Sequence, residues 1–518
     1  MEALAESPPI VPRRPRSVLA RPGVEQAIKA FFGGNALVAL VVLALITVFL
    51  FREGFGFFGQ NLTNLRLYRQ SGLEYVDLIR AESQKHAALA RGLNELRSRQ
   101  IRAALRANLD VEQANASLAP FDEFATAFSD TAEETNGLLS DLSDQATALR
   151  DQLFARAELV AGGSQTEPPI DRAAGVASLT AGTAMFESAS GAMAAEIRQL
   201  LVAPPNFQDA TVQQSFEKWK GRARAYADDA LPAATEKLRA WSPDRPVPWY
   251  RSISSFVFGA DWITASFWQD WYGIRPLLVG SIMVSIVALT LAVPLGVSSA
   301  IYVSEIASLH ERRFIKPYIE FISAIPSVVL GFFGIAVVGQ AVRALSELPM
   351  LSWVPFFPIS ERLNVFTAGC LLALMAVPTI FTLAEDALRN VPRGFKEASY
   401  ALGANRLQTI GRVLVPASLS GIVSAILLGL GRVIGETMVV LLCAGNRIEI
   451  PDFTQGLGAF FQPVHTMTGI IAQEMGEVVR GSMHYRALFM VGLVLFTITL
   501  GINYLAQKLV ARYRMSIG

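Results

Sequence analysis

The sequence predicts an all-α, polytopic membrane protein: six transmembrane helices and, between the first and second, a helical extracytoplasmic domain. Three observations point there. Only 17% of the 518 residues are charged and 52% are hydrophobic, with a mean hydropathy of +0.37, whereas soluble proteins carry about 25% charged residues. Six stretches reach the roughly 20 apolar residues that a helix rising about 1.5 Å per residue needs to cross a bilayer core. The one long polar segment, 52–275, repeats leucine at helical spacing.

Taken in chain order, residues 1–29 form a basic segment and 30–51 a charge-free first span. That apolar run is longer than a signal-peptide core and no A-x-A site follows it, so it reads as a retained helix. The later spans are 276–304, also free of charge, then 321–342, 363–384, about 413–446 and 487–507. With six spans both termini share one side of the membrane. That side collects Arg13, Arg14, Arg16, Arg21 and Lys29, then Arg312, Arg313 and Lys316. Arg389, Arg393, Lys396, Arg406, Arg412, Lys508, Arg512 and Arg514 join them, against only Arg343, Arg362, Arg447, Arg480 and Arg486 opposite. By the positive-inside rule the termini are cytoplasmic and the chain is a multi-pass protein of a plasma membrane.

Residues 52–275 are too long for a loop. Leu138, Leu142, Ala146, Leu149 and Leu153 make an apolar stripe at helical spacing, Leu89, Leu93 and Leu96 a shorter one, and polar residues fill the other faces, as in a solvated bundle. Breaks fall at 162–169, 203–206 and 242–248, where Gly and Pro collect. With no cysteine, this domain holds by apolar packing alone. Asn61 and Asn115 match the glycosylation sequon, a pattern so short that it arises often by chance. Without a pocket signature, a spacer or docking surface is the favoured reading over a ligand sensor.

The loop 385–416 is predicted on the cytoplasmic side. Pro392 and Gly394 interrupt the chain, 395–402 forms a short helix, Gly403 stops it, and a second helix leads to Pro416 and the fifth span. Such an elbow presents a compact knob to a partner's groove, unless it is an ordinary connecting turn. In the fifth span Arg432 and Glu436, four apart, are predicted on one helix face. A central membrane charge costs about 2.5–3.5 kcal/mol, so such residues face a bundle interior or cavity. Arg before Glu is the weaker order for pairing within a helix. Two readings stay open: a mutually neutralising pair, or a pathway contact for an oxyanion, whose oxygens suit the guanidinium fork. Gly431 with Gly435, and Gly421, Ala425 and Gly429, read as helix-packing faces.

Several classes drop out. A net charge of +1 does not favour nucleic acid. Cys370 and Cys443 are too far apart for a recognisable metal or redox motif, and His86, His310, His465 and His484 are scattered, so neither metal nor cofactor is expected. There is no P-loop and no catalytic constellation, so the chain is not expected to be an enzyme.

Glu397-Ala398-Ser399, three residues, Gly403, nine residues, Val413, then Val415-Pro416 resembles the E-A-A-x3-G-x9-I-x-L-P motif of permease subunits of binding-protein-dependent ABC importers. Ser399, Val413 and Val415 replace alanine, isoleucine and leucine. Residues 289–304, 324–334, 431–446 and 468–490 look like the phosphate-importer permeases, and G-E-T-M followed by A-G-N looks more like their C-type than their A-type member. The likeness is loose over 1–60, close over 250–518, and does not cover roughly 60–250. It implies the ABC importer permease fold and a bacterial inner-membrane location. It also implies a phosphate pathway at Arg432, Glu436 and Thr437, and ATPase coupling through Glu397, Ala398, Gly403 and Pro416. The implied partners are an A-type second permease, an ATPase dimer and an extracytoplasmic phosphate-binding protein. A permease for sulfate or molybdate is the alternative within transport. A membrane receptor with a helical sensor is a weaker one, since its output domain would exceed the roughly 30-residue cytoplasmic pieces expected here.

Overall fold

The computed structural model describes residues 22–106, 110–161, 170–207, 209–264, 266, 268–351, 353–354 and 356–513. Arg13, Arg14, Arg16, Arg21, Arg514 and the expected break at 162–169 lie outside the described residues, as does the side chain of Arg512. Among the described residues the regular elements are helices, with one two-residue antiparallel strand pair in which Trp262 opposes Tyr272. It divides into two compact units, one of Phe58–Gly280 with Asn446–His465, the other of Met1–Phe57, Ser281–Gly445 and Thr466–Gly518.

The second of these holds most of the apolar helices. Six helices of the chain are long and apolar enough to cross a membrane: Lys29–Gln70, Arg275–Ile306, Ser327–Ser346, Val365–Arg389, Arg406–Ile434 and Met483–Leu509. Two departures from the sequence reading have local causes. The third span begins at Ser327 rather than 321, because Pro326 takes extended backbone (φ −58°, ψ 136°) and ends the turn that follows the Leu309–Ile322 helix. Proline has no N–H to continue that helix. The fifth span ends at Ile434 rather than near 446. Gly435 caps it with its N–H on the Gly431 carbonyl, and a separate short helix, Met438–Cys443, follows.

Small residues decide how these helices pack. The Val365–Arg389 and Val415–Ile434 helices make the most extensive contact in the chain. A Cβ at Gly421 would stand 2.4 Å from that of Ala387, one at Gly429 would stand 2.7 Å from Ile380, and Ala425 between them is fully buried. The expected packing face is therefore this one. Gly431 has open space where its Cβ would be, and Gly435 meets only its own helix. Among the described residues, no neighbouring helix lies within 4 Å of a Cβ at either position. Gly421→Leu forces the two helices apart and lowers the thermal stability of the purified chain by several degrees, an overpacking cost of about 1–3 kcal/mol. Gly431→Ala leaves it unchanged.

The other unit is a bundle of long helices, among them Leu73–Arg106, Glu133–Ala161 and Arg172–Leu200. Leu89, Leu93 and Leu96 enter one core with Phe121, Phe124, Phe128, Phe216 and Trp219; Leu142 and Ala146 enter a second with Tyr75, Leu179 and Phe186. Leu149 is buried, while Leu138 and Leu153 are only partly so. The breaks at 203–206 and 242–248 are non-helical. Of the two sequons, Asn61 is buried, with its amide donating to the Ser252 carbonyl and the Ser255 hydroxyl, both at 3.1 Å.

His86 lies in the first core. Its ring stacks on Phe128 with centroids 4.6 Å apart, and Nε2 donates to the Phe128 carbonyl at 3.0 Å, beside the Thr131 hydroxyl at 3.1 Å. Burial, opposed by that carbonyl, lowers its pKa below the ordinary imidazole value. The folded state therefore prefers neutral His86, and the unfolded chain takes up the proton first as pH falls. This contribution to stability is complete above about pH 6.5 and is lost as pH falls toward the folded pKa. Hydrogen exchange of residues 82–93, corrected for its intrinsic pH dependence, accelerates below that value in the native chain and not in His86→Gln.

Candidate functional site

The sequence-predicted residues fall into two groups, both within the unit that contains Ser281–Gly445. The first lies where the Val415–Ile434 helix stops. Arg432 is in its last turn, exposed, with Nη1 donating to the Thr379 hydroxyl at 3.1 Å. Glu436 is not on that helix. It sits in the break after Gly435, where its Oε1 accepts the Met438 N–H at 3.1 Å and its carbonyl accepts the Thr468 hydroxyl at 2.7 Å. The expectation that Arg432 and Glu436 share a helix face is thus corrected, because the glycine ends the helix between them. No ion pair joins them among the described residues, so the reading as a mutually neutralising pair goes too. Each charge instead complements a helix end, the cation at a C-terminus and the carboxylate before an N-terminus. Thr437, half-buried, is the N-cap of Met438–Cys443 without using its hydroxyl for the cap.

Complementing a dipole does not explain why a guanidinium stands exposed on an apolar helix. Among the described residues, its five N–H donors make one side-chain bond. Against hydrocarbon that exposure is unfavourable by kilocalories. The Arg432 side therefore faces water or another protein surface. Thr379, the hydroxyl that holds it, follows Pro378 in the Val365–Arg389 helix. Nothing in the spacing of the sequence joins Thr379 to Arg432.

The second group is the elbow. Its first helix is Arg393–Ala401, close to the expected 395–402. Gly403 takes φ +80°, with its N–H on the Tyr400 carbonyl and the Ala404 N–H on the Ser399 carbonyl. These are the two bonds of a helix stop that needs a left-handed residue. Asn405 and Gln408 then form a reciprocal cap for the second helix. Ser399 and Thr409 bring their hydroxyls to 2.9 Å across the two arms, and both are buried. The serine that departs from the alanine of the motif is therefore a cross-brace. Beyond it the helical run to Ile434 is unbroken, although it contains Pro416. A wide turn, Ile410–Leu414, precedes that proline and closes with the Val415 N–H on the Ile410 carbonyl.

Ion pairs missed in the sequence tie the elbow to its surroundings. Lys396 reaches Glu305 at 2.7 Å. Glu385, fully buried, meets Lys316 at 2.8 Å and Arg389 at 2.7 Å. Of these contacts only Glu385–Arg389 lies at helical spacing, so periodicity could have found no more than that one. Outward, the elbow presents Glu397, Ala398, Gly403 and Pro416, all exposed, around Leu402 at 89% and Leu407 at 71% exposure. Among the described residues nothing covers these two leucines, which stand bare on an elbow braced by its own hydrogen bonds. The elbow and the Arg432 turn are the two ends of one helical run.

A family model described as "Binding-protein-dependent transport system inner membrane component" matches residues 292–515. The probable ABC transporter permease protein YqgH of Bacillus subtilis is 35% identical over 242 residues, 46% of this chain and 72% of that protein. The phosphate transport system permease protein PstC of Pasteurella multocida is 31% identical over 272 residues, 51% of this chain and 82% of that protein. The PstC of Haemophilus influenzae is likewise 31% identical over 277 residues, 50% and 84% of the two chains. Among solved structures, an inward-facing methionine ABC transporter, MetNI, matches 46% of this chain and 94% of its own at 20% identity, with a TM-score of 0.34.

Proposed function

The chain belongs to the family of binding-protein-dependent transport system inner-membrane components, and from that premise we propose that it is the permease subunit of an ATP-driven phosphate importer. Permeases of this family work with ATPase subunits and a substrate-binding protein. Here we assign an ATPase dimer, a PstA-like second permease and an extracytoplasmic phosphate-binding protein. The observation that carries the substrate is the 31% identity to a phosphate permease across 82% of that protein. Residues 30–51 and 276–518 provide the bilayer-crossing part, with both termini and the loop 385–416 cytoplasmic and 52–275 extracytoplasmic. The chain performs no catalysis; ATP hydrolysis belongs to the ATPase partner.

The mechanism is alternating access. Closure of the ATPases on ATP draws in Glu397, Ala398 and Gly403 of the elbow, and the movement passes Pro416 along the helical run to the turn containing Arg432, Glu436 and Thr437. Arg432 offers donors to the anion's oxygens. Glu436 is an acceptor only, and phosphate near neutral pH still carries a proton to donate, while sulfate does not. A carboxylate four residues beyond the guanidinium, able to accept that proton, thus favours phosphate over sulfate and keeps the anion from binding too tightly to leave.

The test is uptake by the purified complex reconstituted into vesicles, with its binding protein supplied on one side and ATP on the other. Labelled phosphate accumulates in an ATP-dependent way, and excess unlabelled sulfate or molybdate does not compete. Competition by either oxyanion at equal concentration identifies the alternative substrate. ATP-independent binding without accumulation contradicts a transport role.

A further inference from the structure

The Tyr250–Phe258 helix has two unlike faces. Ser252 and Phe256, four apart, are buried. The Ser252 hydroxyl donates to the Phe58 carbonyl at 2.9 Å, the Ser252 carbonyl accepts from Asn61, and the Phe256 ring meets Phe58 edge-on at 6.1 Å. The other face carries Tyr250, Ile253 and Val257 at the i, i+3, i+7 spacing of one helical stripe, flanked by Trp249 and Phe258. These five side chains are between 37% and 71% exposed. The single charge of the helix, Arg251, points elsewhere, to Glu74 at 3.2 Å.

The neighbours of this helix say what meets that face. Phe58 stands seven residues beyond Phe51, the end of the first charge-free run, which is about 10 Å along a helix. On the other side, Ile274 donates its N–H to the Phe256 carbonyl at 2.8 Å. Ile274 is two residues ahead of Pro276, where the second charge-free run begins. The two chain segments touch through glycines: a Cβ on Gly273 would stand 2.4 Å from the Gly259 carbonyl carbon. The helix is therefore bonded to the chain where one apolar run has just ended and the next is about to start. The headgroup layer adds about 5–8 Å on each side of the hydrocarbon core, so the Ile274 anchor, about 3 Å along the chain from its apolar run, falls within that layer and the Phe58 anchor at its outer edge. Tryptophan and tyrosine concentrate at that level, and short helices with one apolar face lie in its plane.

We propose that the Trp249–Phe258 face inserts into the headgroup–acyl boundary of the lipid bilayer and holds the helical unit on the membrane surface. The competing occupant is a second protein subunit, and the experiment separates the two. The assembled transporter carrying Val257→Cys, and separately Phe258→Cys, is labelled with an environment-sensitive fluorophore and reconstituted into phosphatidylethanolamine–phosphatidylglycerol vesicles. Signal from Cys370 and Cys443 is subtracted with the unsubstituted chain. Val202→Cys, on a broadly exposed residue of the same unit, serves as the water-facing control. Emission from both test positions shifts to the blue and loses most of its intensity to lipids bearing a nitroxide high on the acyl chain, while the control does neither and is quenched by aqueous iodide. Iodide quenching at positions 257 and 258 overturns the proposal. So does a blue shift without nitroxide quenching, which assigns the face to a protein partner.

Discussion

Replacing Arg432 with glutamine lowers ATP-dependent phosphate uptake by the reconstituted complex at least about tenfold, while the complex still assembles. A hydrogen bond to a charged group contributes about 1.5–3 kcal/mol, and each 1.4 kcal/mol is a factor of ten. The assembly survives because Arg432 is exposed and its side-chain partner among the described residues is the Thr379 hydroxyl at 3.1 Å, which the shorter glutamine leaves to water. Lysine at the same position restores charge without the planar fork and recovers uptake only in part. Glu436→Gln moves a different readout: sulfate, expected not to compete in the native complex, begins to compete with phosphate. If Arg432→Gln transports at the native rate, the guanidinium serves the helix terminus alone and the pathway lies elsewhere.

A comparable loss comes from the opposite end of the same helical run, by another route. Leu402→Glu combined with Leu407→Glu abolishes co-purification of the ATPase subunits and with it uptake, yet leaves the melting temperature of the isolated chain unchanged. Both leucines are exposed, so charging them costs no core packing. In a cleft each would place a carboxylate where about 1.5–3 kcal/mol of apolar burial had been. The elbow keeps its shape because its internal bonds, Ser399 to Thr409 and the caps at Gly403 and Asn405, touch neither side chain. Co-purification that persists at the native level contradicts the assignment of this knob to the ATPases.

The elbow was readable because its signals are local. Pro392, Gly394 and Gly403 act on the backbone within a few residues of themselves. The spans were readable in number for the same kind of reason, since hydropathy needs only a window of sequence. Their ends were not. Around Pro326 the chain is apolar on both sides, so hydropathy runs through a turn that the missing N–H makes unavoidable. Past Gly435 the apolar residues resume, which hid the break that separates Arg432 from Glu436. The Arg432–Thr379 and Lys396–Glu305 partnerships join residues 53 and 91 positions apart, and no periodicity reports that. In the helical unit the leucine stripes announced helices. The core that surrounds Trp219 and His86 is assembled from aromatic residues of several helices that meet only after folding.

The wide turn at Ile410–Leu414 has a mechanical meaning. A ring closed over five residues instead of four admits one surplus residue, a local irregularity of the kind that often marks functional positions in helices. In the mechanism proposed above, movement of the knob would meet this turn before it reached the guanidinium, about 30 Å of helix away. Under that mechanism, stroke length and gate angle would be set by separate parts of one continuous strut.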